Sequence, residues 1–242
     1  MDKVNILEVD FSNITLDEAA DKMLSFLKDG KKHMIFTPNS EILYDAYKDS
    51  EFKKILNSAD MNVPDGIGVV YASAINGKKL KQRVAGYDLC LNLFEKLKNG
   101  DKTIYFFGGA PKVAENAKEK IEKKYKIKII GTSDGYFDDK KEKLIIDEIN
   151  KLSPDILLVG LGAPKQEKWI YKNINNLNAK IFMGVGGSFD GFSGAVKRAP
   201  DIFIKLGLEW LYRLIKQPSR FVRMLKLPLF MLLVIKHKIK GR

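Results

Sequence analysis

Residues 155 to 173 read DILLVGLGAPKQEKWIYKN. Four apolar residues run unbroken from Ile156 to Val159, glycines follow at 160 and 162, and the helical segment APKQEKWIYKN comes next. An uninterrupted apolar strand is the pattern of a strand buried on both faces, and a following helix supplies the crossover that a parallel sheet requires. The same unit recurs along the chain. HMIF (33–36) is a buried strand; TIYFFGG leads into APKVAENAKEKIEKKY; IKIIG leads through TSDGYFDD into KEKLIIDEIN; AKIFMGVGG leads into SFDGFSG. Ahead of them TLDEAADKMLSFLKDG reads as a whole helix, with Thr15 and Glu18 in capping-box register and Gly30 at its C-terminal stop. Strands alternating with helices predict an α/β fold: a Rossmann-like, mostly parallel sheet with helices on both faces. Ligands of such sheets bind beyond the carboxyl ends of the strands. Three of those ends carry glycine: Gly108 and Gly109, Gly160 and Gly162, and Gly184, Gly186 and Gly187.

The chain has 242 residues, 45% of them hydrophobic, enough for one large α/β domain with a real core. A single cysteine, Cys90, excludes an internal disulfide and a zinc cluster, and two histidines, His33 and His237, exclude a His-rich metal site. The N-terminus MDKVNILEVD lacks the regions of a signal peptide, so a cytoplasmic protein is expected. No stretch reaches the roughly 20 apolar residues of a spanning helix.

The net charge of +12 is unevenly placed. Residues 1–196 hold 30 Lys and Arg against 28 Asp and Glu, whereas residues 197–242 hold 12 against 2. We therefore divide the chain into a core, 1–196, and a basic, apolar, helical C-terminal appendage, 197–242. At about 100° per residue, Lys205, Glu209, Arg213, Lys216, Arg220 and Arg223 fall within an arc of roughly 80°, a basic stripe if the helical phase survives Pro218. LPLFMLLVI (227–235) is about 14 Å long as a helix against about 30 Å of hydrocarbon, so it can enter one leaflet but not cross. A basic amphipathic segment with interleaved aromatic residues suits an anionic membrane surface; the plainer reading is a pair of helices packed on the core with a solvated basic face.

The strand ends supply candidate site residues. FFGGAP and GVGGSFDG let backbone N–H groups approach a phosphate, although neither is a Walker A loop or a GxGxxG fingerprint, and both also suit tight turns. TPNSEI places Thr37 and Asn39 next to a helix start, where Asn39 or Ser40 also serves as an N-cap. GAPKQEKW places Gln166 and Glu167 in a first helical turn, where acidic charge is favourable in any case. VPDGIG (63–68) sets Asp65 between a proline and a glycine, which by itself is a turn. All of these groups fall on one side of one predicted sheet.

TPNSEI, VPDGIG, RVAGYDL, FFGGAP, VGLGAPKQEKWI and GVGGSFDGFSGAVKRAP, in this order and followed by LGLEWLYRL and a basic tail, make the chain resemble the WecG/TagA/CpsF glycosyltransferases, glycosyltransferase family 26. The resemblance runs from about residue 4 to 225. Within the family it is strongest to the N-acetylmannosaminyltransferases of wall teichoic acid synthesis. It implies transfer of N-acetylmannosamine from UDP-N-acetylmannosamine to the 4-hydroxyl of the GlcNAc on undecaprenyl diphosphate, with inversion, by an enzyme peripheral on the inner face of the cell membrane. UDP-N-acetylmannosaminuronic acid or UDP-glucose is an alternative donor. One departure is SFDGFSG, where a bulkier apolar pair is expected after the aspartate.

Inverting transfer needs one general base and a cationic or hydrogen-bonding partner for the leaving diphosphate. YFDDKKEK lacks the spacing of a metal-binding DxD motif and reads as a helix start, so no metal and no cofactor are expected. Asp65 is the candidate base. Thr37, Asn39 and Gln166 are candidates for donor-sugar and diphosphate contacts; Gly108, Gly109 and Gly186 line the phosphate turns; Tyr136 and Asp190 are assigned to uracil and ribose. Arg83 and helix N-termini replace the cation, and Arg213, Arg220 and Arg223 clamp the acceptor diphosphate while the tail sits in lipid. The exposed apolar tail also suggests a homo-oligomer in solution. Two other classes are weighed: a basic nucleic-acid-binding protein, against which the nine apolar residues of the tail speak, and a nicotinamide-dependent oxidoreductase, against which the missing fingerprint speaks.

Overall fold

The computed structural model describes residues 2–218 and 221–241. Along the chain run β1 (Lys3–Ile6), β2 (Val9–Ser12), α1 (Leu16–Phe26), β3 (His33–Phe36), α2 (Ser40–Lys48), α3 (Ser50–Asn57), β4 (Met61–Asn62), α4 (Ile67–Ile75), α5 (Gly86–Leu97), β5 (Thr103–Gly108), α6 (Val113–Tyr125), β6 (Lys128–Ser133), α7 (Asp139–Leu152), β7 (Ile156–Gly160), α8 (Lys165–Asn173), β8 (Ile181–Gly184) and α9 (Ser188–Phe192). The tail adds α10 (Asp201–Lys205), α11 (Glu209–Lys216), α12 (Phe221–Met224) and α13 (Lys226–Ile239). β3 to β8 form one six-stranded sheet in the order β4-β3-β8-β7-β5-β6, and every pairing in it is parallel. The expected α/β sheet is therefore present.

Side-chain alternation divides the core in two. Ile104 and Phe106 of β5 join Leu158, Met183 and Ile35 on the face covered by α1, α5, α6 and α9. Tyr105 and Phe107 join Leu157, Val159 and Phe182 on the face covered by α2, α3, α7 and α8. Both faces of the strands are dry because successive Cβ atoms point to opposite sides of the sheet. Each fully buried Phe or Leu among them contributes about 1.5–3 kcal/mol.

Local signals place the helices. Thr15 Oγ1 accepts from the Glu18 N–H and the Glu18 carboxylate accepts from the Thr15 N–H, closing the predicted capping box. α1 ends at Phe26, ahead of the expected stop, and Gly30 takes φ +75° in the turn beyond. Asp138 caps α7 by accepting from the Lys141 N–H, so YFDDKKEK is a helix start as read.

The N-terminal hairpin and β4 are among the elements not legible in the sequence. β1 and β2 form an antiparallel hairpin whose turn residues, Leu7 and Glu8, both have positive φ. α3 pins it: Asn57 Nδ2 donates to the Glu8 carbonyl at 2.7 Å, and Asn57 Oδ1 accepts from the Asp10 N–H at 3.0 Å. β4 is only two residues long and pairs with β3 at the sheet edge.

The tail departs from the single stripe. Gly207, at φ +71°, follows α10, and Gln217 ends α11, so Glu209, Arg213 and Lys216 lie on one short helix, while Lys205 and Arg223 belong to others. The helical phase behind the 80° arc is lost at Gly207, before Pro218 is reached. α13 returns to the core, where Phe230 and Val234 are fully buried among the residues of the second face. The opposite side of α13 exposes Leu229, Leu232, Ile235 and Ile239. No helix among the described residues is long and apolar enough to cross a membrane.

Candidate active site

Because every strand of the main sheet points the same way, the turns after β3, β4, β5, β6, β7 and β8 lie along one edge. Thr37 and Asn39 follow β3, Asp65 follows β4, Gly109 and Tyr136 follow β5 and β6, and Gln166 and Gly186 follow β7 and β8.

The β3 and β4 turns are tied to each other. The Asp65 N–H donates to the Pro38 carbonyl at 3.2 Å, and the Val84 N–H donates to the Pro64 carbonyl at 2.9 Å, so the loop that carries Arg83 is fastened beside Asp65. Asp65 Oδ2 accepts from the N–H of Gly86 at 3.2 Å, at the first residue of α5. Thr37 is buried against the same glycine: a Cβ on Gly86 would lie 3.1 Å from Thr37 Oγ1. Asn39 caps α2, with Oδ1 accepting from the Ile42 N–H at 3.0 Å, and its Cβ faces Gly66. The capping role thus holds for Asn39 whatever else it does.

Electrostatics sharpens this half of the edge. Burial pushes the Asp65 carboxyl above the ordinary aspartate value, against the pull of the Arg83 guanidinium and the Gly86 N–H. Arg83 donates to Glu209 of α11 at 2.7 Å, a pair whose side chains are 18% and 13% exposed. Glu209 also accepts from Arg213 at 2.5 Å. Burial raises Glu209, but the Arg213 and Arg83 guanidiniums together outweigh it and hold the carboxyl below its ordinary value. Arg83 Nε is buried with no hydrogen-bond partner among the described residues. The tail is therefore fastened beside Asp65 by one acid, Glu209, between two arginines. In the sequence Glu209 was only one position of the stripe; the lone glutamate within LGLEWLYRL, in a basic tail, was the available signal.

The centre of the edge is built on α8 and the β8 turn. Gln166 is buried, and its Oε1 accepts from the Gly186 N–H at 2.9 Å. Asp190 lies in α9, and a Cβ on Gly187 would meet its Oδ2 at 3.3 Å, so this carboxylate curls over the same turn. A Cβ at Gly191, the residue after it, would come within 2.7 Å of the Tyr87 ring, so glycine fits closely there. At the far end Gly108 and Gly109 have φ of +134° and +76°; the Gly109 N–H donates to the Gly160 carbonyl and its own carbonyl accepts from the Gly135 N–H. Tyr136, 68% exposed, stands on the rim there.

The sequence-predicted arginines separate. Arg213 is on α11 beside Glu209, Arg223 donates to Glu41 at 3.0 Å in the first turn of α2, and Arg220 lies outside the described residues. Further ties of the tail run through Arg198, which pairs with Asp88 at 2.7 Å and covers the Tyr87 ring, and through Lys226, which pairs with Asp45 at 2.7 Å. A cavity of about 460 Å³ between α7 and α8 opens at the β6 and β7 turns, lined by Phe137, Glu142, Pro164, Trp169 and lysines; away from the edge, a groove of about 230 Å³ between α2 and α13 is lined by Tyr44, Tyr47, Leu229, Leu232 and Leu233 with Lys48 and Lys236.

This arrangement offers a part-buried carboxylate, a neighbouring guanidinium and glycine turns on one sheet edge, which suits proton removal next to an anionic leaving group. The chain is similar along most of its length to known proteins. The model of the Glycosyl transferase WecG/TagA/CpsF family matches residues 4–242. A protein of Bacillus spizizenii named N-acetylglucosaminyldiphosphoundecaprenol N-acetyl-beta-D-mannosaminyltransferase is 41% identical over 215 residues, 88% of this chain and 83% of the relative. Proteins of the same name from Bacillus subtilis strain 168 and Staphylococcus aureus strain MRSA252 are 41% identical over 206 residues and 34% identical over 240, covering 85% and 98% of this chain and 80% and 94% of theirs. The chain belongs to the WecG/TagA/CpsF family of glycosyltransferases.

Proposed function

We propose that the protein transfers N-acetylmannosamine from UDP-N-acetylmannosamine to the 4-hydroxyl of the GlcNAc on undecaprenyl diphosphate, with inversion and without a metal. The observation that carries the reading is Asp65: a part-buried carboxylate on the Gly86 N–H, beside Arg83, at the carboxyl edge of the sheet. As base, Asp65 takes the proton of the acceptor 4-hydroxyl while that hydroxyl's oxygen bonds to the sugar C1 and the bond from C1 to the UDP oxygen breaks. A carboxyl held above its ordinary value is a stronger base once ionised. The departing diphosphate carries the negative charge, and Arg83, whose buried Nε has no hydrogen-bond partner among the described residues, is the cation for it together with helix N-termini. Thr37, Asn39 and Gln166 contact the donor, Gly108, Gly109 and Gly186 border its phosphates, and Tyr136 and Asp190 take the nucleoside.

Residues 197–242 act as a membrane-binding appendage on the cytoplasmic face, with Arg213, Arg220 and Arg223 toward the acceptor diphosphate. The exposed row Leu229, Leu232 and Ile235, bordered by Lys236, supports this. The test is a donor panel of radiolabelled UDP-N-acetylmannosamine, UDP-N-acetylmannosaminuronic acid and UDP-glucose, with a short-chain GlcNAc-diphospholipid acceptor, in the presence and absence of EDTA. UDP-N-acetylmannosamine alone is expected to give product, equally with EDTA. Product from another donor overturns the substrate assignment, and loss with EDTA overturns metal independence.

A further inference from the structure

One buried acid at this edge has no part in the transfer described above. Glu167 is 1% exposed, in the first turn of α8 where an acid is ordinarily solvated. Its Oε1 accepts from Gln166 Nε2 at 2.8 Å, and Gln166 Oε1 in turn accepts from the Gly186 N–H. Glu167 Oε2 is buried with no hydrogen-bond partner among the described residues. The Gln166 amide packs closely on β8: a Cβ on Gly184 would stand 2.9 Å from its Nε2, so glycine at that position admits the amide. A carboxylate this buried is costly as a charge unless it is paired, and burial raises Glu167 to about 7.

The chain Glu167, Gln166, Gly186 fixes direction. Rotating the amide by half a turn would set its NH2 group against the Gly186 N–H, two donors face to face, and forfeit both bonds. Removing Glu167 would leave Gln166 Nε2 a buried donor without its acceptor. We propose that Glu167 is a positioning residue for the donor pocket, acting through its hydrogen bond and not its charge: it locks the Gln166 amide in the orientation that engages Gly186 and so shapes the Gly184 to Gly187 turn for the donor diphosphate. The donor's identity rests on the glycosyltransferase reading above; the hydrogen-bond chain does not.

The test compares wild type, Glu167→Leu and Glu167→Gln by UDP titration calorimetry and by donor KM and kcat. Glu167→Leu is expected to weaken UDP about tenfold or more and to raise donor KM by a similar factor with a smaller change in kcat. Glu167→Gln recovers most of that loss, because its amide carbonyl accepts the same bond. The bond is also read without ligand: protection of the Gln166 side-chain amide protons from solvent exchange persists in Glu167→Gln and is lost in Glu167→Leu. Wild-type UDP affinity in Glu167→Leu overturns the proposal, as does a Glu167→Gln variant as weak as Glu167→Leu. If Glu167→Leu fails to fold, Glu167→Gln decides alone, since a tenfold loss there means the charge is required. A wild type that binds UDP but transfers no N-acetylmannosamine defeats the functional reading and leaves this comparison intact.

Discussion

The carboxyl edge of the sheet and the C-terminal tail invert each other. At the edge polar side chains are buried: Thr37 in the turn after β3, and Gln166 and Glu167 in the first turn of α8. In the tail apolar side chains are exposed, including Ile202, Leu206, Ile215, Val222 and Leu232, the last 63% exposed. Burying polar groups costs free energy unless partners hold them, and this cost fixes geometry; exposing apolar groups costs free energy unless a surface covers them, and this cost favours association. Under the proposed function the edge takes a defined small ligand and the tail a broad apolar surface. They meet at the Arg83–Glu209 pair.

The largest effect expected is at the edge. Asp65→Asn should lower transfer by about 10²- to 10⁴-fold while UDP binding stays within a few-fold, as judged by product assay and calorimetry. The same variant should melt no lower than wild type, because a carboxyl whose folded pKa is raised opposes folding once ionised. In the wild type the acid limb of kcat/KM should sit above the ordinary aspartate range, since the base works only when deprotonated. A normally low limb would remove Asp65 from that role.

Next comes the tail. Deleting it is a poor probe, because α13 supplies Phe230 and Val234 to the core. Leu232→Glu with Ile235→Glu instead changes only exposed positions, and should reduce flotation with anionic liposomes by about tenfold or more while leaving the melting temperature in place. Unchanged flotation would end the membrane assignment for α13.

The meeting point should respond less. Glu209→Gln weakens both arginine contacts without removing volume, and a decrease of about five- to tenfold in kcat/KM is expected, with unchanged transfer indicating that the tail's seat is irrelevant to turnover. A separate effect is expected on stability alone, with no change in transfer chemistry. Glu167, raised to about 7, contributes stability that is complete below the ordinary glutamate value and is lost as pH rises through about 7. Wild type should therefore lose on the order of 2–3 kcal/mol between pH 5 and pH 8 that Glu167→Gln does not lose, measured by urea melts at both pH values.

Much of the fold was legible because its causes are local. β5, β7 and β8 are apolar runs next to glycine turns, and the Thr15 box needs only residues three apart. The hairpin of β1 and β2 was not, since its turn is Leu7-Glu8 in place of the Asn-Gly that ordinarily marks one, and Asn57 and Lys53 hold it from α3. The tail stripe failed because a fixed 100° step carries no information about where Gly207 interrupts the helix. At the site, Asp65, Thr37 and Asn39 were legible as polar residues at strand ends. Glu167 and Glu209 were not, because a glutamate in a first helical turn reads the same whether water or protein surrounds it.

The sequence by itself determined a parallel sheet with its functional edge, and a basic apolar C-terminus. Both follow from periodicity and composition, which a chain carries along its length. Only the tertiary structure decided which acids lie buried, that Arg83 meets Glu209 across 126 residues, and that one face of α13 belongs to the core while the other does not. Burial and charge pairing depend on what the rest of the chain brings alongside, and desolvation acts on that assembled surrounding.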